Sequence, residues 1–144
     1  MTFFDRHTFY DAHGVTPYMT RYTLVGCRWF SLKLHHFHRG DSDPDFHDHP
    51  WPFVALILAG GYWELQPAGG EKVTVSWKAP GTLILHRAAD AHRVVMKRPT
   101  WTLILCGPKV RDWGFHAPTG WCGWRTYVRG GRAACASEAA GGAA

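Results

Sequence analysis

His47-Asp48-His49-Pro50-Trp51 is the stretch whose reading decides the fold. It stands where a polar loop, Gly40 to Asp45, gives way to strand-like residues. In an extended segment side chains alternate faces, so His47 and His49 point one way and Asp48 the other. Two imidazoles are thereby set close together at the mouth of a sheet, an arrangement that suits a transition-metal ion. The motif is short, however. The chain has 10 His among 144 residues, enough to give on the order of one such pair by chance. A second pair does occur, at His36 and His38, so the surroundings must choose between them.

Upstream, Arg21 to His38 is strand-like. Phe30, Leu32 and Leu34 alternate with Trp29, Ser31 and Lys33, and the first face continues into His36 and His38. Downstream, Phe53 to Leu58 reads as a buried strand that ends at Gly60-Gly61. Tyr62 to Gln66 and Lys72 to Trp77 read as a hairpin around Pro67-Ala68-Gly69-Gly70. Thr82 to His86 is a further strand after the Pro80-Gly81 turn. His92 to Met96 and Trp101 to Cys106 read as a second hairpin around Lys97-Arg98-Pro99, and Val110 to Phe115 and Trp121 to Val128 as the last strands. About nine short strands at this spacing predict a sandwich or barrel rather than an α/β fold. Residues 1–20 are expected to form an N-terminal arm or short helix, residues 21–128 the barrel, and residues 129–144, rich in Gly and Ala, an unstructured tail that is dispensable for stability.

Composition narrows the function classes. One domain of this length can bury a real core. The net charge of +5 permits an acidic partner, but Lys and Arg are scattered singly, which disfavours a nucleic-acid surface. Cys27, Cys106, Cys122 and Cys135 contain no C-x-x-C, so no zinc knuckle or redox pair is indicated. Met1 to Tyr10 has no apolar leader core and no stretch nears 18 apolar residues, so the expectation is a cytoplasmic protein with reduced thiols and no membrane span.

At this point the sequence resembles the cupin superfamily, whose first motif runs G-x5-H-x-H-x3–4-E-x6-G and whose second runs G-x5-P-x-G-x2-H-x3-N. His47, His49 and Gly60 fit the first, and Gly81 and His92 fit the second. Gly40 lies one residue too early, Phe53 stands in place of the Glu, Arg87 and Ala89 replace the Pro and Gly, and Met96 replaces the Asn. His36 and His38 have neither the Glu nor the Gly at the required spacings, which selects the second pair. Asp48 to Trp51 together with Gly107 to His116 also resembles a small cupin group without an assigned activity. The fold implied is all-β, a single-domain cupin-type double-stranded β-helix, or jelly-roll barrel.

The resemblance implies a metal site of His47, His49 and His92. By strand parity Phe53 enters the same cavity and closes the usual carboxylate position. A neutral three-imidazole shell leaves a divalent ion its full charge and favours anionic ligands. Similar three-histidine sites occur in cupin dioxygenases, so the expectation is an Fe(II)-dependent dioxygenase-type enzyme acting on a small anionic substrate. Zn, Mn, Ni and Co remain compatible. A non-oxidative isomerase or lyase and a non-catalytic small-molecule-binding barrel are the alternatives. His36, His38, His86 and Arg87 join Phe53 as pocket candidates, and Arg87, Lys109, Arg111 and Arg125 as candidates for holding a substrate carboxylate. No general acid or base is identified, and a homodimer is left open.

Overall fold

The computed structural model describes residues 1–10 and 15–141. Its strands are β1 (Thr2–Tyr10), β2 (Pro17–Gly26), β3 (Ser31–Phe37), β4 (Phe46–His47), β5 (Phe53–Ala59), β6 (Tyr62–Pro67), β7 (Val73–Lys78), β8 (Leu83–His86), β9 (Arg93–Val95), β10 (Thr100–Cys106), β11 (Gly114–Ala117) and β12 (Gly120–Gly123). One helical segment follows, α1 (Trp124–Gly141). The strands form a six-stranded sheet in the order β1-β2-β3-β10-β5-β8 and two three-stranded sheets, β12-β11-β4 and β7-β6-β9. Every pairing is antiparallel.

Period-two alternation sets the core. Ala55 and Ile57 of β5, Ile84 of β8 and Ile104 and Cys106 of β10 turn inward, where they meet Tyr62 and Val94 of the β7-β6-β9 sheet. Burying each of the larger apolar side chains stabilises the fold by roughly 1.5–3 kcal/mol. At the end of β5 the chain reverses through Gly60 and Gly61, whose φ angles are 86° and 115°. A Cβ on Gly60 would also collide with the Pro99 carbonyl, so both backbone angle and space require glycine there.

Several sequence expectations change, among them the strand predicted over Val110 to Phe115, which begins only at Gly114. Residues 1–20 are neither a separate arm nor a short helix, because β1 and the start of β2 pair on the edge of the large sheet, with Thr8 opposite Thr20. The predicted Tyr62–Trp77 hairpin is present as β6-β7. The one predicted around Lys97-Arg98-Pro99 is absent: β9 pairs with β6, whereas β10 lies between β3 and β5. Those three residues carry the chain from one sheet to another, a path that turn chemistry alone does not distinguish from a hairpin. The last predicted strand stops at Gly123 and becomes helix.

The Gly/Ala-rich tail is a further change. Residues 124–141 are helical, interrupted at Gly130 and at Gly131, which has φ 58°. Few residues tie this segment down, and composition averages hide them. The Tyr127 ring stacks on Phe115 at 3.8 Å between centroids, and Trp124 stacks on Trp113 at 5.7 Å. Arg132 donates to both carboxylate oxygens of Asp45 at 2.8 and 2.6 Å, and the Tyr127 hydroxyl donates to the same carboxylate at 2.7 Å. The Arg132 hydrogen bond holds the Asp45 carboxyl below its ordinary range despite burial. Cys122 and Cys135 are disulfide-bonded, with Cα atoms 5.7 Å apart, so the expectation of four reduced thiols is corrected; Cys27 and Cys106 are free. Such a crosslink between residues 13 apart is worth about 2–4 kcal/mol. Cys135→Ser should therefore lower the denaturant midpoint by a corresponding amount in oxidising buffer. The difference from the parent chain should vanish under reducing agent. An unchanged midpoint in oxidising buffer would show that the crosslink does not hold the helix on the sheet.

Candidate metal centre

The His47-Asp48-His49 segment is fixed from both sides. On one side His47 and His92 form an isolated antiparallel bridge, each N–H donating to the other's carbonyl at 2.9 Å. The His49 N–H donates to the Ala88 carbonyl at 2.9 Å. On the other side the Asp48 side chain, fully buried, accepts hydrogen bonds from Arg111 Nη1 (2.7 Å), the Gly114 N–H (2.9 Å) and Trp121 Nε1 (2.9 Å). His116 Nε2 lies 3.2 Å from the same carboxylate. A buried carboxylate without partners would be strongly destabilising, so these donors pin the direction of Asp48. By alternation they also aim His47 and His49 the opposite way.

That direction converges on His92. The three ring centroids are 4.9–5.2 Å apart, and one ligand atom from each histidine lies within 4.8 Å of the others. Glu64, on β6 and 1% exposed, determines how His92 presents itself. Its Oε1 accepts from His92 Nδ1 at 2.6 Å and from His86 Nε2 at 2.7 Å. A proton on Nδ1 makes Nε2 of His92 the acceptor nitrogen, and that atom faces His49 Nε2 at 2.8 Å. On the far side of His47, Nδ1 lies 3.7 Å from the Asp41 carboxylate. Burial keeps the His49 imidazole well below its ordinary pKa and lowers that of His47 to about 4, so both are neutral at pH 7. For Glu64, burial pushes the carboxyl upward, but hydrogen bonds from His86 and His92 outweigh it and hold the group below the usual carboxylate range.

A second set, Glu64, His86 and His92, also brings its ligand atoms within 4.8 Å. The Lys78 ammonium lies 3.3 Å from Glu64 Oε2, however, and a fixed positive charge there opposes a cation at that set. The donor chemistry of His47, His49 and His92 suits a divalent transition metal without that conflict.

The Phe53 ring stands beside these residues, 4.8 Å from the His49 ring and 5.0 Å from that of His86. It also borders a cleft of about 870 Å³ whose lining includes His86, Arg87 and Cys106. The cleft reaches as far as Phe53 and His86, and His47, His49 and His92 lie outside its lining.

His36 and His38 belong elsewhere. The His36 ring stacks on Trp101 at 4.1 Å, and His38 Nε2 is 2.9 Å from Thr20 Oγ1. The face of β3 shared by Leu32, Leu34 and His36 is the outer one, continued by Leu105 of β10, which is 48% exposed. The interior receives Lys33, His35 and Phe37 instead. His36 and His38, expected as pocket residues, are therefore outside the pocket, and the inward face of β3 carries the polar Lys33 and His35.

Of the expected carboxylate-holding residues, Arg87 is exposed at the rim of the cleft, and the others are engaged elsewhere: Lys109 pairs with Asp112 in solvent, Arg111 pairs with Asp48, and Arg125 lies over Trp124. Glu64, Asp41 and Lys33 escaped the sequence reading, since none falls in a motif. The one available signal for Glu64 was a charged residue within an otherwise uncharged strand.

With fold and site described, the relatives can be placed. No family model and no curated protein matches the sequence. Solved structures do match. A cupin superfamily protein from Desulfitobacterium hafniense is 14% identical, covers 63% of this chain and 78% of its own, and superposes with a TM-score of 0.52. The DMSP lyase DddQ from Ruegeria pomeroyi is 20% identical over 74% of this chain and 58% of its own, with a TM-score of 0.56. Fe(II)-HppE is 10% identical over 71% of this chain and 56% of its own, also with a TM-score of 0.56. The chain thus spans little more than half the length of the latter two. The protein has the cupin fold, a double-stranded β-helix. At these identities the likeness concerns architecture alone.

The buried neutral imidazoles make a specific demand on stability. The pKa of His47 is lowered to about 4, and burial, then the charges of Lys33 and Arg21, lower that of His35 to about 3. Between the ordinary histidine value and about pH 4 the unfolded chain therefore binds more protons than the folded one. Their contribution is fully retained above the ordinary histidine range and is lost as pH falls toward 4. The urea midpoint of the metal-free protein should fall between pH 7 and pH 5, and His35→Leu should make that fall shallower. Equal midpoints at both pH values would contradict the burial of neutral rings.

Proposed function

We propose that the protein is a metal-dependent cupin enzyme in which His47, His49 and His92 hold a divalent transition metal. Fe(II) is the favoured ion, and the reaction class a dioxygenase-type oxidation of a small anionic substrate. The observation that carries the reading is the orientation of His92. Its Nδ1 is bound to the Glu64 carboxylate at 2.6 Å, which turns Nε2 toward His49 Nε2. A carboxylate behind a ligating histidine fixes both its tautomer and its ring plane. The ion would supply a positive centre for anionic ligands and, as Fe(II), access to oxygen chemistry.

The chain's own residues divide the remaining work. Asp48 and the His47–His92 bridge orient the donors. Glu64 holds the His92 proton at Nδ1 and ties His86 to the same carboxylate. Phe53 presents an apolar ring where a fourth protein ligand would enter, which keeps the donor set neutral and excludes water from that flank. A neutral set favours an anionic substrate over a second protein carboxylate.

Metal analysis after mild purification should find about one transition-metal ion per chain, and His92→Ala should lose it while retaining the fold by circular dichroism. Glu64→Gln should weaken metal affinity about 10–100-fold, the range for residues that orient a ligating histidine. Full metal loading in His92→Ala would remove that residue from the site. Oxygen uptake by the Fe(II)-loaded chain with a panel of small carboxylates tests the reaction class; turnover without uptake would favour a lyase or isomerase.

Phe53→Glu discriminates further. Beside a bound ion the new carboxylate should tighten metal binding and weaken anionic ligands. In the metal-free chain it is a half-buried charge packed against aromatic rings and should destabilise the fold. Added Zn(II) should restore the melting temperature. Destabilisation that metal does not rescue would count against Phe53 as a neighbour of the ion.

A further inference from the structure

The barrel interior holds a second polar cluster whose composition is opposite to that of the metal centre. Lys33 is 7% exposed, and no carboxylate among the described residues pairs with it. Its neighbours are the face of Trp51, 4.1 Å from the ammonium nitrogen, the Cys106 thiol and the Arg21 guanidinium. Burial raises the Cys106 pKa, so that thiol stays uncharged and offers no counter-charge. On the same face of β3, both ring nitrogens of His35 are shielded from solvent and have no hydrogen-bond partner. Directly opposite His35 on β10 is Thr102, 1% exposed, whose hydroxyl is likewise unpartnered. Opposite it on β2 is Arg21, whose Nε is shielded and unpartnered too.

Unpaired buried polar atoms are uncommon, and a buried ammonium without an anion is costly. Here two cationic side chains, a neutral imidazole and a hydroxyl are brought together on one inward face by strand register. The cation–π contact with Trp51 offsets part of the cost for Lys33 but does not neutralise its charge. What the cluster lacks is an anion with several acceptor oxygens.

We propose that Lys33, His35 and Thr102, backed by Arg21, form an anion-binding pole in the barrel that takes the carboxylate of a small ligand. This deepens the reading of an anionic substrate and rests on it only for the ligand's other end, which would face His47, His49 and His92. Lys33 supplies the charge, Thr102 and His35 supply directional donors, and Trp51 gives the adjoining carbon chain an apolar wall. A carboxylate fits better than a phosphate ester because the cluster is enclosed by β-sheet and includes no helix N-terminus or loop of backbone donors.

The test uses butyrate and its uncharged counterpart butyramide, titrated calorimetrically into the full-length chain in carboxylate-free buffer. Parallel titrations use metal-stripped protein and protein loaded with Zn(II). Butyrate should bind saturably with a dissociation constant no weaker than roughly 10 mM, an affinity of a few kcal/mol. Butyramide should bind at least tenfold more weakly. Lys33→Met should reduce butyrate affinity at least tenfold, Thr102→Val should reduce it to a smaller extent, and Lys33→Arg should retain part of it. Because Lys33→Met removes a buried unpaired charge, its ligand-free melting temperature should equal or exceed that of the parent. Butyrate binding that survives Lys33→Met and Thr102→Val, or no saturable binding by the parent chain, overturns the proposal. A lowered ligand-free melting temperature with unaltered binding would make Lys33 a structural partner of Trp51 and also overturn it. Binding by the metal-stripped chain separates this pole from the metal centre: it persists if only the metal reading fails, and disappears if the pole itself is absent.

Discussion

Glu64 is buried among groups that would otherwise have to be apolar or separately compensated. One of its carboxylate oxygens joins His86 of β8 to His92 at the entrance to β9, while the other approaches Lys78 of β7. The carboxylate itself stands on β6. Elements from both principal sheets are therefore held by one charge. Burial of this group alone would be unfavourable, and the two short hydrogen bonds reverse the balance. Because His92 pairs through its backbone with His47, the orientation that Glu64 imposes on one ring is transmitted to the segment carrying the other two.

Two aspartates perform the corresponding task from outside the centre. Asp48 gathers its donors from the strands and loop of the β12-β11-β4 sheet, and Asp45 is gripped by Arg132 and Tyr127 of the helical segment. Both sit within two residues of His47. The C-terminal residues, which look expendable in composition, thus bear on the loop that delivers the histidines. The Cys122–Cys135 crosslink holds that segment near β12 in the same way.

Much of this was legible in the sequence where local periodicity and motif spacing coincide. His47, His49 and His92 are close in space, as the resemblance to the cupin motifs implies, and Phe53 lies beside them, as parity implies. The β6-β7 hairpin follows from its Gly-Gly turn. What failed depended on long-range choices. Lys97-Arg98-Pro99 is a reversal in either topology, but whether it returns along the same sheet depends on partners far away in sequence. The pairing of Cys122 with Cys135 needs a helix that propensity does not announce in a Gly/Ala-rich segment. Asp48 was recognised as pointing away from its neighbours, but its donors at Arg111, Gly114 and Trp121 lie more than 60 residues on.

The misreading of β3 has a more general cause. Alternation identifies two faces, and the usual rule assigns the apolar one to the interior. A barrel that encloses ligand-binding groups can reverse the assignment locally, because its lumen must supply charge and hydrogen bonds. Leu32 and Leu34 therefore share the outer face with His36, while Lys33 and His35 point toward Thr102 and Ile104. The stability cost of inward polar residues is limited when each has a partner, as Glu64 and His92 do. It is not so limited at His35, whose ring nitrogens are sheltered without one, or at Lys33, which is buried with no carboxylate beside it. Among the described residues, the unpartnered polar atoms of His35, Thr102 and Arg21 fall on one stretch of wall, between an apolar core and a histidine centre in which Glu64 orients His86 and His92.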